Sequence, residues 1–146
     1  NIQLAKLELA KHKIKILKSS SNYLSKSWPD STKPYYINIV IKVTTNLTAL
    51  KLLKVCNLIE LKLGRVKTYI NAPRTCDIDI IDYKKKILVE KSQQLTLPHP
   101  RLSKRNFVLL PLFEIEKSWK HPKSKNNIVN LISSLPIKDL RSIKQL

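Results

Sequence analysis

The chain has 146 residues, 42% of them hydrophobic, and a formal net charge of +18. That length suits one compact domain with an ordinary core, and no apolar run reaches the roughly 18 residues of a membrane-spanning helix. The single glycine, Gly64, excludes a Walker loop and a dinucleotide fingerprint, which need several glycines to bring backbone N–H groups against phosphates. A bound nucleotide would have its phosphates held by side chains and metal.

The first residues, Asn1-Ile2-Gln3-Leu4-Ala5-Lys6, lack the basic start and unbroken apolar stretch of a secretory signal. Apolar Ile2, Leu4, Ala5, Leu7 and Leu9 suit a helix over 2–11. Residues 14–26 read as a strand, from Ile14 and Ile16 through a serine-rich stretch to Tyr23. Residues 27–34 hold two prolines among small polar residues and form a loop. Beyond it Tyr36, Asn38, Val40 and Lys42 alternate with Ile37, Ile39, Ile41 and Val43, a strand of period two. Thr48 caps a helix running to about Leu63, with a broad apolar face of Leu50, Leu53, Cys56, Leu58, Ile59 and Leu61. Gly64 falls where a left-handed C-terminal cap belongs.

Residues 65–74 form a basic loop. Residues 76–83 read as a strand, with Ile87-Leu88-Val89 as its hairpin partner. Pro98-His99-Pro100 is a rigid loop. Periodicity leaves 107–115 open between a short helix with Pro111 near its start and a kinked strand. A last helix is expected over 126–134. No repeat or domain boundary is evident. The order α-β-β-α-β-β-α predicts an α+β sandwich, with packed helices on a mostly antiparallel sheet.

Cys56 and Cys76 are too few for a disulfide framework or a zinc site, which suits a reducing, cytoplasmic setting. The high charge would fit a polyanionic partner such as nucleic acid, an anionic membrane or a phosphate-rich substrate. The lysines are scattered over every predicted element, however, and not gathered into one basic run. Neither nucleic acid nor membrane is therefore the expected partner.

Alternation along 76–83 puts Cys76, Ile78 and Ile80 on one face and Asp77 and Asp79 on the other. On a strand those two aspartates stand roughly 6.5–7 Å apart. Two ionised carboxylates side by side repel and need compensation. A hard cation such as Mg²⁺, shared with substrate phosphates, supplies it; two solvated acids on an edge strand are the bland alternative. Arg65, Lys67 and Arg74 lie just upstream, and His99, Arg101, Lys104 and Arg105 follow downstream. Acids flanked by cations suit a metal–triphosphate complex, the cations taking phosphate charge that the metal does not.

Several blocks together carry a resemblance. They are Pro34-Tyr35-Tyr36-Ile37-Asn38, Ile59-Glu60-Leu61-Lys62-Leu63-Gly64-Arg65, Ala72-Pro73-Arg74-Thr75-Cys76-Asp77-Ile78-Asp79-Ile80, Leu97-Pro98-His99-Pro100-Arg101 and Arg105-Asn106-Phe107-Val108-Leu109-Leu110-Pro111-Leu112. In order and spacing, over about residues 2–122, the chain resembles the 6-hydroxymethyl-7,8-dihydropterin pyrophosphokinases of folate biosynthesis. The resemblance implies a ferredoxin-like α+β fold. It also implies a reaction in which the pterin hydroxymethyl oxygen attacks the β-phosphorus of ATP, pyrophosphate moves as a unit and AMP leaves.

By the same resemblance Asp77 and Asp79 bind two Mg²⁺ ions. Arg65, Lys67 and Arg74 are catalytic, Arg65 and Lys67 closing over the site and stabilising charge. Arg74, His99 and Arg105 contact the triphosphate, Glu60 supports the nucleotide site, and Ile80, Leu95 and Thr96 lie near the adenine. Tyr36 and Phe107 match the pair that stacks on the pterin, and Asn38 matches the residue reading its edge; Trp28 is counted with the pterin contacts. A flat heterocycle does want two aromatic faces and hydrogen-bond partners at its rim. The expected substrates are ATP and the pterin, and the expected state is a monomer.

The chain departs from the family at Asn71-Ala72-Pro73-Arg74, where an aromatic and Gly-Pro-Arg often stand. It departs again at Lys67, where arginine can give bidentate phosphate contact. The family opens with a strand and a Gly-Ser-Asn loop ahead of the first helix. Neither is found before Asn1, and the chain has no methionine, so the domain spanning 1–146 is expected to be N-terminally incomplete. Without that strand it is expected to be unstable or inactive. Two other readings are a basic nucleic-acid-binding module, which has no use for the aspartate pair, and a truncated relative retained as an interaction protein.

Overall fold

The computed structural model describes residues 1–27, 34–64 and 76–146. They pack as two compact units, each assembled from two stretches of chain: Asn1–Ile16 with Val43–His99, and Leu17–Lys42 with Pro100–Leu146. The class is α+β, as expected, and strands pair antiparallel wherever a register is described.

In the first unit α1 (Ile2–Lys11) packs on α2 (Ala49–Lys62). Ala5, Glu8 and Leu9, spaced to share one face, are the buried residues of α1. Thr48 caps α2 as predicted, its hydroxyl accepting from the Lys51 N–H at 3.3 Å. Gly64 follows the helix at φ 92°, a left-handed position that suits glycine. Ile14, Leu52, Cys56, Ile59, Tyr83, Leu95 and Leu97 form the core of this unit.

Glu8 bridges the two helices, meeting Lys11 Nζ at 2.7 Å and Lys62 Nζ at 2.8 Å. The hydrogen bonds from Lys11 and then Lys62 hold its carboxyl down at about 2. A carboxylate depressed in the folded state stabilises above its ordinary value and loses that contribution as pH falls through the folded value. Thermal denaturation between pH 4.5 and about 2 should therefore show acid destabilisation that is smaller in Glu8→Gln.

Both predicted long strands are split. The first becomes β1 (Lys15–Ser19) and β2 (Tyr23–Ser25), the second β3 (Tyr36–Asn38) and β4 (Ile41–Thr44). The break has a local cause. Ser20 N–H donates to the Val40 carbonyl at 2.9 Å, but Val40 N–H donates back to the Ser20 hydroxyl, at 3.0 Å, and not to its carbonyl. A side chain has replaced a ladder acceptor. β1 pairs with β4, while β2 pairs with β3.

The predicted hairpin between 76–83 and 87–89 is not what forms. β5 (Leu88–Glu90) pairs with β6 (Leu95–Leu97) across a turn in which Gln94 is left-handed at φ 55°. Residues 76–82 lie in no ladder among the described residues. Their backbone groups are used otherwise: Ile78 N–H donates to the Glu60 carboxylate and Ile81 carbonyl accepts from His99 N–H. The chain does reverse at Tyr83–Lys86, with Lys84 and Lys85 both at positive φ and Lys86 N–H bonded to the Tyr83 carbonyl at 2.9 Å.

In the second unit β2 is central, flanked by β3 and by β7 (Ile143–Gln145). Residues 107–115 resolve to helix: α3 spans Asn106–Ile115, with Pro111 buried inside it. Proline supplies no N–H there, so one helical bond is forgone. Glu114 on α3 accepts from the Tyr23 hydroxyl at 2.9 Å and the Ser21 hydroxyl at 2.8 Å, tying helix to sheet. The predicted last helix is α4 (Ile128–Ser133), capped by Asn127. The short helix α5 (Ile137–Arg141) and strand β7 were not anticipated. Leu102, Val108, Leu109, Leu112, Trp119, Ile128 and Leu131 fill this core.

Candidate active site

The aspartates keep the alternation that the sequence predicts, although their segment is no ladder strand. Cys76, Ile78 and Ile80 are half-buried, and Asp77 and Asp79 are exposed between them. An extended backbone alone suffices for this, since alternation follows from its geometry and not from pairing. The segment is anchored at two points. Inside, Glu60 on α2 is only 2% exposed and accepts from Ile78 N–H at 2.7 Å. At its end, Ile81 carbonyl accepts from His99 N–H at 2.9 Å.

That second bond carries His99 to the aspartates. Its Nε2 lies 3.7 Å from Asp79 Oδ2, and its side chain is largely buried. His99 follows the cis Leu97–Pro98 bond at the end of β6. On β6 itself Leu95 is buried and Thr96 half-buried, so Leu95 is a core side chain of the same unit. The Cys56 thiol on α2 is pushed up to about 11, mainly by burial and further by the charge of Asp79. The inward face of α2, with Cys56 and Glu60, thus underlies the aspartate segment.

Asp77 and Asp79 offer hard carboxylate oxygens toward solvent, a donor set that fits Mg²⁺. Among the described residues no three His, Cys, Asp or Glu side chains group closely enough to hold a metal by themselves. Two carboxylates completed by phosphate oxygens and water are how Mg²⁺ is ordinarily held at nucleotide sites.

The predicted pterin residues lie in the second unit. Tyr36 and Asn38 share a side of β3, both half-buried, with Ile37 exposed between them. Their partners in register are Ser25 and Tyr23, the buried positions of β2. Tyr23 reaches α3 through Glu114, so Tyr36 and Asn38 are on the helix-facing side of this sheet. Asn38 Nδ2 donates to Ser25 Oγ at 2.9 Å and to the Tyr36 carbonyl at 3.4 Å, which fixes its amide. Ser25 was not anticipated; it sits in a polar stretch that offers no signal until the register is known. Phe107 is half-buried on α3, with the Arg105 guanidinium 5.4 Å from its ring centre.

Trp28, Arg65, Lys67 and Arg74 lie outside the described residues. A cleft of about 520 Å³ in the second unit is lined by Tyr23, Leu110, Phe113, Glu114, Leu140 and Ile143 among others, and by none of the predicted site residues.

The family model of 7,8-dihydro-6-hydroxymethylpterin-pyrophosphokinase (HPPK) matches residues 1–117. The chain belongs to this family. It is 37% identical to a Synechocystis protein named 2-amino-4-hydroxy-6-hydroxymethyldihydropteridine pyrophosphokinase, over 92% of the chain and 68% of that protein. A namesake from Aquifex aeolicus is 35% identical over 82% of the chain and 73% of its own length. The folic acid synthesis protein fol1 of Pneumocystis carinii is 38% identical over 89% of the chain, which spans only 17% of that protein. The matched span includes every predicted site residue, whereas α4, α5 and β7 lie beyond it. No helix among the described residues is long and apolar enough to cross a membrane.

Proposed function

We propose that this chain transfers pyrophosphate from ATP to the hydroxymethyl oxygen of 6-hydroxymethyl-7,8-dihydropterin. The new bond joins that oxygen to the β-phosphorus, the bond from the β-phosphorus to the oxygen bridging it to the α-phosphate breaks, and AMP leaves. The observation that carries this reading is the exposed Asp77–Asp79 pair beside His99, inside the span that matches the family.

Asp77 and Asp79 would hold two Mg²⁺ ions, whose chemistry when bound is to neutralise phosphate charge and orient the triphosphate. His99, Arg105 and Arg74 neutralise phosphate oxygens, and Arg65 and Lys67 set their positive charge against the negative charge that develops on the leaving group. Ile80, Leu95 and Thr96 belong to the adenine side. Tyr36 and Phe107 stack on the pterin, with Trp28 nearby, and Asn38 reads its rim from an amide already oriented by Ser25. The chain acts as a cytoplasmic monomer on these two small molecules.

AMP formation from ATP and Mg²⁺ should depend strictly on the pterin; AMP at the same rate without pterin overturns the reading. Phe107→Ala should raise the KM for pterin roughly 2- to 12-fold, the worth of one aromatic stack, and leave the KM for ATP in place.

A further inference from the structure

We infer that Glu60 is a positioning residue for the aspartate pair: its buried carboxylate holds the Ile78 N–H and so sets where Asp77 and Asp79 present their oxygens. The inference rests on the pyrophosphokinase reading and assigns Glu60 a part in it distinct from nucleotide contact.

Glu60 occupies an inward position of α2, beside Ile59 at 1% exposure and one turn after Cys56 at 3%. Such a position ordinarily takes an apolar side chain. A buried carboxylate costs several kcal/mol unless well bonded, and a leucine would fill the space without that cost. The acid accepts here a short bond from a backbone N–H, 2.7 Å long, reaching 18 positions along the chain.

The residue so held is the one between the two aspartates. Fixing Ile78 N–H fixes the peptide plane that follows Asp77 and the direction in which the chain enters Asp79. Outside a ladder, an extended segment has no neighbouring strand to impose that direction. Among the described residues, Glu60 from below and His99 N–H from the end hold the segment where a ladder would otherwise hold it. Two carboxylates can share metal–phosphate ligation only while both point outward at a steady spacing, and partners behind ligands typically govern metal affinity by 10- to 100-fold.

The test measures binding of Mn²⁺ with α,β-methylene-ATP to the full chain, by titration calorimetry and the Mn²⁺ resonance signal, alongside Tm. Glu60→Gln keeps an acceptor at the same reach and should bind within about 3-fold of the unaltered chain. Glu60→Asp keeps the carboxyl group but is one methylene shorter, and Glu60→Leu keeps only bulk; both should bind at least about 10-fold more weakly. If Glu60→Leu does not fold, the contrast between Gln and Asp decides. A residue of purely structural importance would lower Tm and leave the affinity of the folded protein unchanged. Unchanged affinity in Glu60→Asp, or a loss in Glu60→Gln as large as in Glu60→Asp, overturns the inference alone. Absence of binding by the unaltered chain overturns the pyrophosphokinase reading, and this inference with it.

Discussion

Asp79→Ala should lower pterin-dependent AMP release by about 10²–10³-fold, and Asp77→Ala by a comparable factor. Positioning and charge neutralisation do most of the work in phosphoryl transfer, so losing one of the two carboxylates proposed to hold the metal should remove a large share of the catalysis. The same change should leave the fold intact. Both aspartates are exposed, and Asp79 is 41% so. Exposed charges contribute little to stability, so Tm should change little beside the loss of activity. Activity and stability would then move apart, as befits a functional group and not a structural one. Retention of more than a tenth of the activity in both variants would refute the assignment of metal to this pair.

Leu109→Ala should cost about 2–5 kcal/mol of unfolding free energy. Leu109 lies on α3 at 0% exposure, in the core of the second unit. The loss combines its transfer free energy with the cavity left behind, and compares with about 5–15 kcal/mol for a whole domain. Leu58→Ala is the control, because Leu58 on α2 is 53% exposed and its truncation should change stability by roughly 0.5 kcal/mol or less. Urea denaturation reads both. Equal effects would mean that α3 is not packed as described.

The parts legible in the sequence were those governed by local rules. Thr48 and Gly64 mark the ends of α2 without reference to any other segment, whereas its inward face is Ala49, Leu52, Cys56, Ile59 and Glu60, and Leu58 and Leu61 of the expected apolar face are exposed. The alternation of Cys76, Asp77, Ile78, Asp79 and Ile80 is likewise a property of one stretch of backbone. Pairing was less legible, because it depends on residues far apart. Nothing in residues 14–26 says that Ser20 will offer its hydroxyl to Val40 and divide two strands at once. Nothing in 76–83 says that a buried glutamate will claim the backbone N–H which a hairpin partner would have used. The hydrogen bond from Asn38 to Ser25 was visible only once β2 and β3 were aligned.

The placing of β2 between β3 and β7 bears on how the protein is made. Tyr23 pairs with Asn38 on one side and with Gln145 on the other. During synthesis the first partner emerges almost at once, but the second follows about 120 residues later, roughly 6–24 s at ordinary translation rates. Through that interval one edge of β2 has no strand beside it, and open edges invite pairing with other chains. The ribosome thus makes β7, the second neighbour of β2, long after the first. Slowing or stalling translation after α3 should therefore raise aggregation, whereas a pause before β2 should not.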